Sequence, residues 1–267
     1  MKKILFTFLF AAMFLVIAGC SDKSSTGDSS KDDKGKEEAK EIIIGVDDKF
    51  APMGFRDDKN NLVGFDIDMA TAAAEHMGAA AKFQPIDWKT KETELSSGRI
   101  DLIWNGYTIT EERKEKVLFT KPYLDNNQVV VTLAGSDIET FEDLAGKTVG
   151  LQALSSAGPA LENHSINEKV KNVTEFADNV LALTDLKTGR LDAVIIDEVV
   201  IDYYMTTEKD VFKKLEGSLA VEEYGIGVKK GNEELLESLQ NALDQMNEDG
   251  TSAEISKEWF GEDKVLR

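Results

Sequence analysis

The phrase "SGRIDLI" at 97–103 returns as "TGRLDAVI" at 188–195, each placing Gly-Arg, an aliphatic residue and Asp ahead of an apolar run. Each follows a stretch whose apolar residues recur at helical spacing. Further back, each is preceded by a short run ("EIIIGV" at 41–46, "KTVGLQ" within 147–152) that reads as a buried parallel strand. Strand, helix, strand is a βαβ unit, and its recurrence predicts two similar α/β lobes. "FDIDMATAAAEHMG" (65–78) adds a helix with Ile67, Met69, Ala70, Ala73, Ala74 and Met77 on one broad side and Gly78 as its stop. A cleft between two lobes is a usual place for a small-molecule site.

The N-terminus, "MKKILFTFLFAAMFLVIAGC", has the basic start, apolar stretch and small residues of an export signal, and its apolar stretch is shorter than the ~20 residues of a spanning helix. "VIAGC" resembles a bacterial lipobox, which implies removal of residues 1–19, lipidation of Cys20 and residence on the outer face of the bacterial cell membrane. Cys20 is the sole cysteine, so the exported part folds without disulfides. From Ser21 to Lys40 the chain contains no apolar residue larger than alanine, so 20–40 is expected to be a lipidated, disordered tether. A net charge of -19 argues against a polyanion such as nucleic acid as partner. The two histidines, His76 and His164, are isolated, which speaks against a transition-metal site, and no nucleophile–base pair suggests an enzyme.

"DLIWNGYTITEERKEKVLF" (101–119) reads as a short strand, a turn at Asn105 and Gly106, and a helix start with Thr110 as N-cap. Arg113 then stands in the first turn, where a cation costs roughly 0.3–1 kcal/mol against the helix dipole. Glu111, Glu112 and Glu115 could balance it on a solvated face. Alternatively its planar fork, with nearby hydroxyls and free backbone N–H groups, suits a carboxylate. Asp197 ends the strand "DAVIID", where open α/β sheets bind ligands, and could equally be the N-cap of a helix beginning at Glu198.

The segments "DKFAPMGF", "LVGFDIDMA", "GRIDLIWNGYTITEERKEKVLFTKPY", "FEDLAGKTVGLQ", "GRLDAVIID", "YGIGVKKGNEEL" and "DGTSAEISKEWFG" occur in the order expected of the polar amino-acid solute-binding proteins of ABC importers, family 3. The resemblance spans about residues 42–262 and implies an α/β fold of the periplasmic-binding-protein type, with a cleft between two lobes joined by two hinge strands. Lobe one would comprise 41–127 and 220–267, and lobe two 128–219, with crossings near Tyr123–Asn127 and Ala220–Tyr224. It further implies that Arg113, with Thr108 and Gly106, takes a ligand carboxylate and Asp197 its ammonium, while Phe50 and Trp88 flank the side chain and Asp47 contacts it. The two aromatics could also simply be core. Ser155 and Ser156 match carboxylate ligands, although Ala153 and Leu154 stand where many relatives have a glycine-containing turn, and Met53 replaces a common aromatic. The resembling family acts as a monomeric receptor without cofactor, delivering a free polar amino acid, here glutamine first, then arginine or cystine, to a membrane permease. A dehydratase-like enzyme on the same fold and an adhesin lipoprotein are the competing readings.

Overall fold

The computed structural model describes residues 40–267. The export signal, Cys20 and residues 21–39 of the expected tether lie outside the described residues. The chain opens with β1 (Glu41–Val46), a three-stranded meander of β2 (Lys49–Phe50), β3 (Gly54–Arg56) and β4 (Leu62–Val63), then α1 (Phe65–His76) and β5 (Ala80–Pro85). It continues through α2 (Lys91–Ser97), β6 (Leu102–Ile103), α3 (Glu111–Lys116) and β7 (Val117–Phe119). The long strand β8 (Leu124–Leu133) leads to β9 (Thr148–Gln152), α4 (Ala157–Glu162), β10 (Asn172–Phe176), α5 (Asn179–Lys187), β11 (Ala193–Asp197), α6 (Glu198–Thr207) and β12 (Phe212–Lys214). Then come β13 (Ala220–Tyr224), β14 (Gly227–Lys229), α7 (Glu233–Asp249) and α8 (Thr251–Phe260).

Beside the meander, the strands form two larger sheets, ordered β5-β1-β6-β14-β7 and β10-β9-β11-β8-β12, as the two-lobed α/β reading expects. The first half of β8 pairs antiparallel with β13, from Leu124↔Tyr224 to Gln128↔Ala220, and its second half joins the second sheet through β11 and β12. The chain thus leaves and returns by two adjacent strands. Helix α7 presents Leu239, Ala242, Leu243 and Met246 at helical spacing as its buried face and packs beside α1, while its Asn232 cap accepts from Leu235 N–H.

The repeated phrase has the same physical content in each lobe. Its glycine (Gly98, Gly189) ends a helix with φ of +77° and +73°, a conformation that costs other residues strain. Its arginine pairs back to an acid of that helix, Arg99 to Glu94 and Arg190 to Asp185. Its aliphatic residue fills the space over a strand glycine: a Cβ on Gly45 would lie 2.5 Å from Ile100 Cδ1, and one on Gly150 would lie 2.4 Å from Leu191 Cδ1. Its aspartate clasps the neighbouring strand, because Asp101 Oδ2 accepts from Ile43 N–H (2.8 Å) and Asp192 Oδ2 from Thr148 N–H (2.7 Å).

Candidate functional site

The first wall of the cleft is the loop after β6. Gly106 has φ +57°, and a Cβ there would stand 2.7 Å from Phe50 Cε1 and 3.1 Å from Tyr224 Cε2, so only glycine lets both rings close on the loop. Its N–H donates to Asp66 Oδ2 (2.7 Å), and Tyr123 donates its hydroxyl to the same carboxyl. Burial pushes Asp66 up to about 7 against those bonds. Two residues on, Thr108 faces the hinge strand β13 through a bridge to Tyr224.

Thr110 Oγ1 caps α3 by accepting from Arg113 N–H (3.1 Å). The Arg113 side chain is only 7 % exposed: Nη1 donates to the Thr108 carbonyl (2.8 Å) and the guanidinium lies 4.5 Å from the Tyr107 ring centre. The solvated charge-balancing alternative fails. Lys114 pairs with Glu111 and Lys116 with Glu112, and among the described residues no carboxylate pairs with Arg113. From the second lobe, the Leu154 carbonyl accepts from Arg113 Nη2 (3.4 Å) and from Lys91 Nζ (3.0 Å). Leu154 holds φ +56°, a left-handed conformation that favours glycine, which turns its carbonyl toward these cations. Lys91 is 2 % exposed, donates also to Trp88 O, and is pushed down to about 8 by burial and the neighbouring Arg113.

Asp197 occupies the N-cap position of α6 but makes no capping bond, which removes that alternative. Instead Oδ1 accepts from Tyr224 Oη–H (2.7 Å), Asn126 Nδ2 (2.8 Å) and Gln128 Nε2 (2.8 Å), all from the two hinge strands. Burial first, then the nearby Glu222 carboxylate, pushes Asp197 up to about 7. Ser156 Oγ and Thr108 Oγ1 stand 3.1 Å apart across the cleft. Ser155 does not join them; its Oγ–H donates to the Gln152 carbonyl (2.8 Å) and its oxygen accepts from Ala157 N–H.

At the other end, Asp47 accepts from Gln152 Nε2 (2.8 Å) across the cleft and from Lys49 N–H (3.0 Å), and burial pushes it up to about 6. Lys49 reaches over to Asp178 (2.9 Å). Phe50 and Trp88 are both buried, the first against Gly106, the second edge-on to Tyr107 at 5.9 Å between ring centres. Met53 is wholly buried. A cavity of about 240 Å³ is lined by Lys91, Arg113, Leu154, Ser155 and Ser156 among others. It reaches Arg113 but not Asp197, while one of about 880 Å³ between the meander and α6 reaches neither. Among the described residues, no group of three or more His, Cys, Asp or Glu is placed to hold a metal ion.

Sequence reasoning missed Lys91, Asn126, Gln128, Gln152 and Glu222. The assembled cleft has a buried cation without an anion at one end and buried carboxylates without a Lys or Arg partner at the other, among the described residues. Buried charges are normally paired, so the arrangement accommodates a molecule bearing both signs.

Residues 42–262 match the family described as bacterial extracellular solute-binding proteins, family 3. The L-cystine-binding protein TcyJ of Escherichia coli (strain K12) is 32% identical, with 93% of this chain and 92% of that protein covered. The ABC transporter glutamine-binding protein GlnH of Bacillus subtilis (strain 168) is 34% identical, with 98% and 99% covered. Among solved structures, a substrate-binding protein of an ABC uptake transporter from Streptococcus pneumoniae with bound histidine superposes with a TM-score of 0.81 at 40% identity, over 85% of this chain and 95% of that one. An ancestral arginine-binding protein bound to glutamine gives 0.78 at 40%, over 83% and 98%.

Proposed function

The chain belongs to the bacterial extracellular solute-binding proteins of family 3, and on that premise we propose that it captures a free polar amino acid in the cleft and delivers it to an ABC importer. It is a binding protein, not an enzyme: its relatives are named for what they bind. The observation that carries the proposal is the separation of unpaired buried charge, Arg113 on one lobe and Asp197 at the edge of the other. Arg113 takes the α-carboxylate with the Gly106–Thr108 loop and the Ser155–Ser156 turn, and Asp197 takes the α-ammonium. Phe50 and Trp88 flank the side chain.

Glutamine is the first choice of ligand. Asp47 can accept from a side-chain amide N–H, and Gln152, which donates to Asp47 in this arrangement, can turn its N–H toward the amide oxygen. Arginine is the second reading, because Asp178 and Asp48 stand near enough to Asp47 to add negative field there. Residues 41–127 with 220–267 act as lobe one and 128–219 as lobe two. The protein works as a monomer anchored through lipidated Cys20 on the outer face of the membrane, its 20–40 tether giving it reach to the permease. No helix of the described residues is long and apolar enough to cross a membrane. Calorimetry of residues 21–267 with L-glutamine, L-arginine, L-cystine and L-histidine tests the reading. Saturable binding of one or more is expected, and silence with all four, alongside capture of none from a wider amino-acid panel, would overturn it.

A further inference from the structure

Recognition of a zwitterion needs one carboxylate at the ammonium end, and the cleft has two. Glu222, on hinge strand β13, is 9 % exposed, and its Oε2 accepts from Asn126 Nδ2 (3.0 Å), Gln128 Nε2 (3.1 Å), Ser156 Oγ (3.1 Å) and Thr108 Oγ1 (3.1 Å). The same two amide nitrogens donate to Asp197 Oδ1, so the carboxylates stand within the reach of one amide group. Neither forms an ion pair with a described Lys or Arg. The other groups facing them are neutral: Tyr224, whose hydroxyl burial and the two acids hold well above its usual range, and the Thr108 and Ser156 hydroxyls. Glu198, next along α6, is turned away to Lys214 and Asn127, and Arg113 is committed to Thr108 O and Leu154 O.

The donors of this cage are already spent on the acids, while acceptors remain. Asn126 Oδ1 and Gln128 Oε1 are buried on side chains aimed into the cluster, and neither has a partner. What is missing is a cation rich in N–H, and a primary ammonium supplies three. Burial, and then the Glu222 carboxylate beside it, raise Asp197, which without ligand keeps its proton below about 7. Resting on the amino-acid reading above, we infer that Glu222 and Asp197 form a two-carboxylate cage that takes the ligand's primary ammonium in exchange for one proton. The proton leaves a carboxyl O–H for water, the ammonium enters with its own three, and the subsite carries a net −1 before and after. The rise of Asp197 to about 7 sets the window. Below it, each pH unit gained should strengthen binding about ten-fold, because binding releases one proton; above it, affinity should level off. An ordinary α-ammonium and α-carboxylate do not titrate between pH 5 and 8.

The test is calorimetry at pH 6 in two buffers of different ionisation heat, with L-glutamine as probe and L-arginine as the alternative probe. About one proton should be released per ligand bound. In Glu222→Gln, folded by circular dichroism, binding should persist with a smaller proton release and a shallower pH profile, because burial alone still raises Asp197. Wild-type affinity measured from pH 5 to 8 should rise about ten-fold per unit and level off near 7, which decides the matter even if Glu222→Gln does not fold. Binding without proton release in the wild type, undiminished release in Glu222→Gln, or a wild-type affinity flat from pH 5 to 8 would each overturn the cage while leaving the receptor reading intact. Failure of both probes to bind at pH 8 would overturn the cage together with the ligand assignment on which it rests.

Discussion

Arg113 and Asp197 are buried without an ion-pair partner among the described residues, and Gly106 holds the loop between them. Truncating one member of a buried, hydrogen-bonded charge pair typically costs about 2–5 kcal/mol, and each 1.4 kcal/mol is about ten-fold in affinity. Arg113→Ala and Asp197→Ala should therefore each weaken amino-acid binding at least about ten-fold by calorimetry, with circular dichroism unchanged. Wild-type affinity in either variant removes that residue from the site. Gly106→Ala should act through geometry: the new Cβ meets Phe50 Cε1 at 2.7 Å in a left-handed conformation that costs a non-glycine residue roughly 1–3 kcal/mol. A lower melting temperature together with weaker binding is expected, and a neutral effect on both would mean the loop relaxes freely. Residue chemistry was legible unevenly. A cation in a first helical turn announces itself, so Arg113 could be found. Glu222 could not, because "AVEEY" offers two glutamates and only the pairing with β8 turns Glu222 inward and leaves Glu223 outside. Lys91 sits in "KTKE", which reads as solvated charge until the second lobe is folded over it.

At the scale of elements, the sequence was most transparent where a local rule repeats. The left-handed glycine, the back-paired arginine, the plugging aliphatic and the clasping aspartate are each local solutions to ending a helix and returning to a parallel strand, so two copies betray two lobes. The clasp gives a paired prediction. Asp101→Ala and Asp192→Ala each strand a strand N–H, for which about 1–3 kcal/mol is typical, so both should shift the urea midpoint downward by similar amounts. Ligand affinity measured well below the transition should change little, since neither residue lines the cleft. A large loss in one lobe with none in the other would mean the repeat is one of sequence only. The hinge was less transparent. Strand β8 serves both β13 and the second sheet, and nothing in "LDNNQVVVTL" marks where one pairing hands over to the other. That handover decides the fate of Asn126 and Gln128, polar residues on a strand that would otherwise be read as its solvated face.

The whole molecule brings together carboxyl groups that burial raises, and this sets how stability responds to pH. Asp47 at about 6, Asp66 at about 7 and Asp197 at about 7 all stand above their ordinary 3.8. Below pH ~4 folded and unfolded chains both hold these protons; between about 4 and 7 the unfolded chain has lost them and the fold has not, so stability falls as pH rises through that window. Depressed acids such as Asp249, at about 2, act only below it. The ligand-free melting temperature should thus fall from pH 5 to 7.5, and a rise would contradict the burial of these groups. Lobe closure follows from the same balance of charge. Across the cleft the lobes are joined by Lys49 to Asp178, Gln152 to Asp47, Lys91 and Arg113 to the Leu154 carbonyl, and Thr108 to Ser156. A zwitterion spanning Arg113 and Asp197 adds charge-assisted bonds available in full only when the lobes meet, so it selects the closed form by differential affinity. Spin labels on the exposed Lys59 of lobe one and Lys171 of lobe two, each exchanged for cysteine, should show a broad distance distribution without ligand and a shorter, narrower one with saturating amino acid. In Asp197→Ala the broad distribution should persist at the same ligand concentration. An unchanged wild-type distribution at saturation confirmed by calorimetry would mean that the cross-cleft bonds alone close the lobes, and would sink the closure mechanism while sparing the receptor itself.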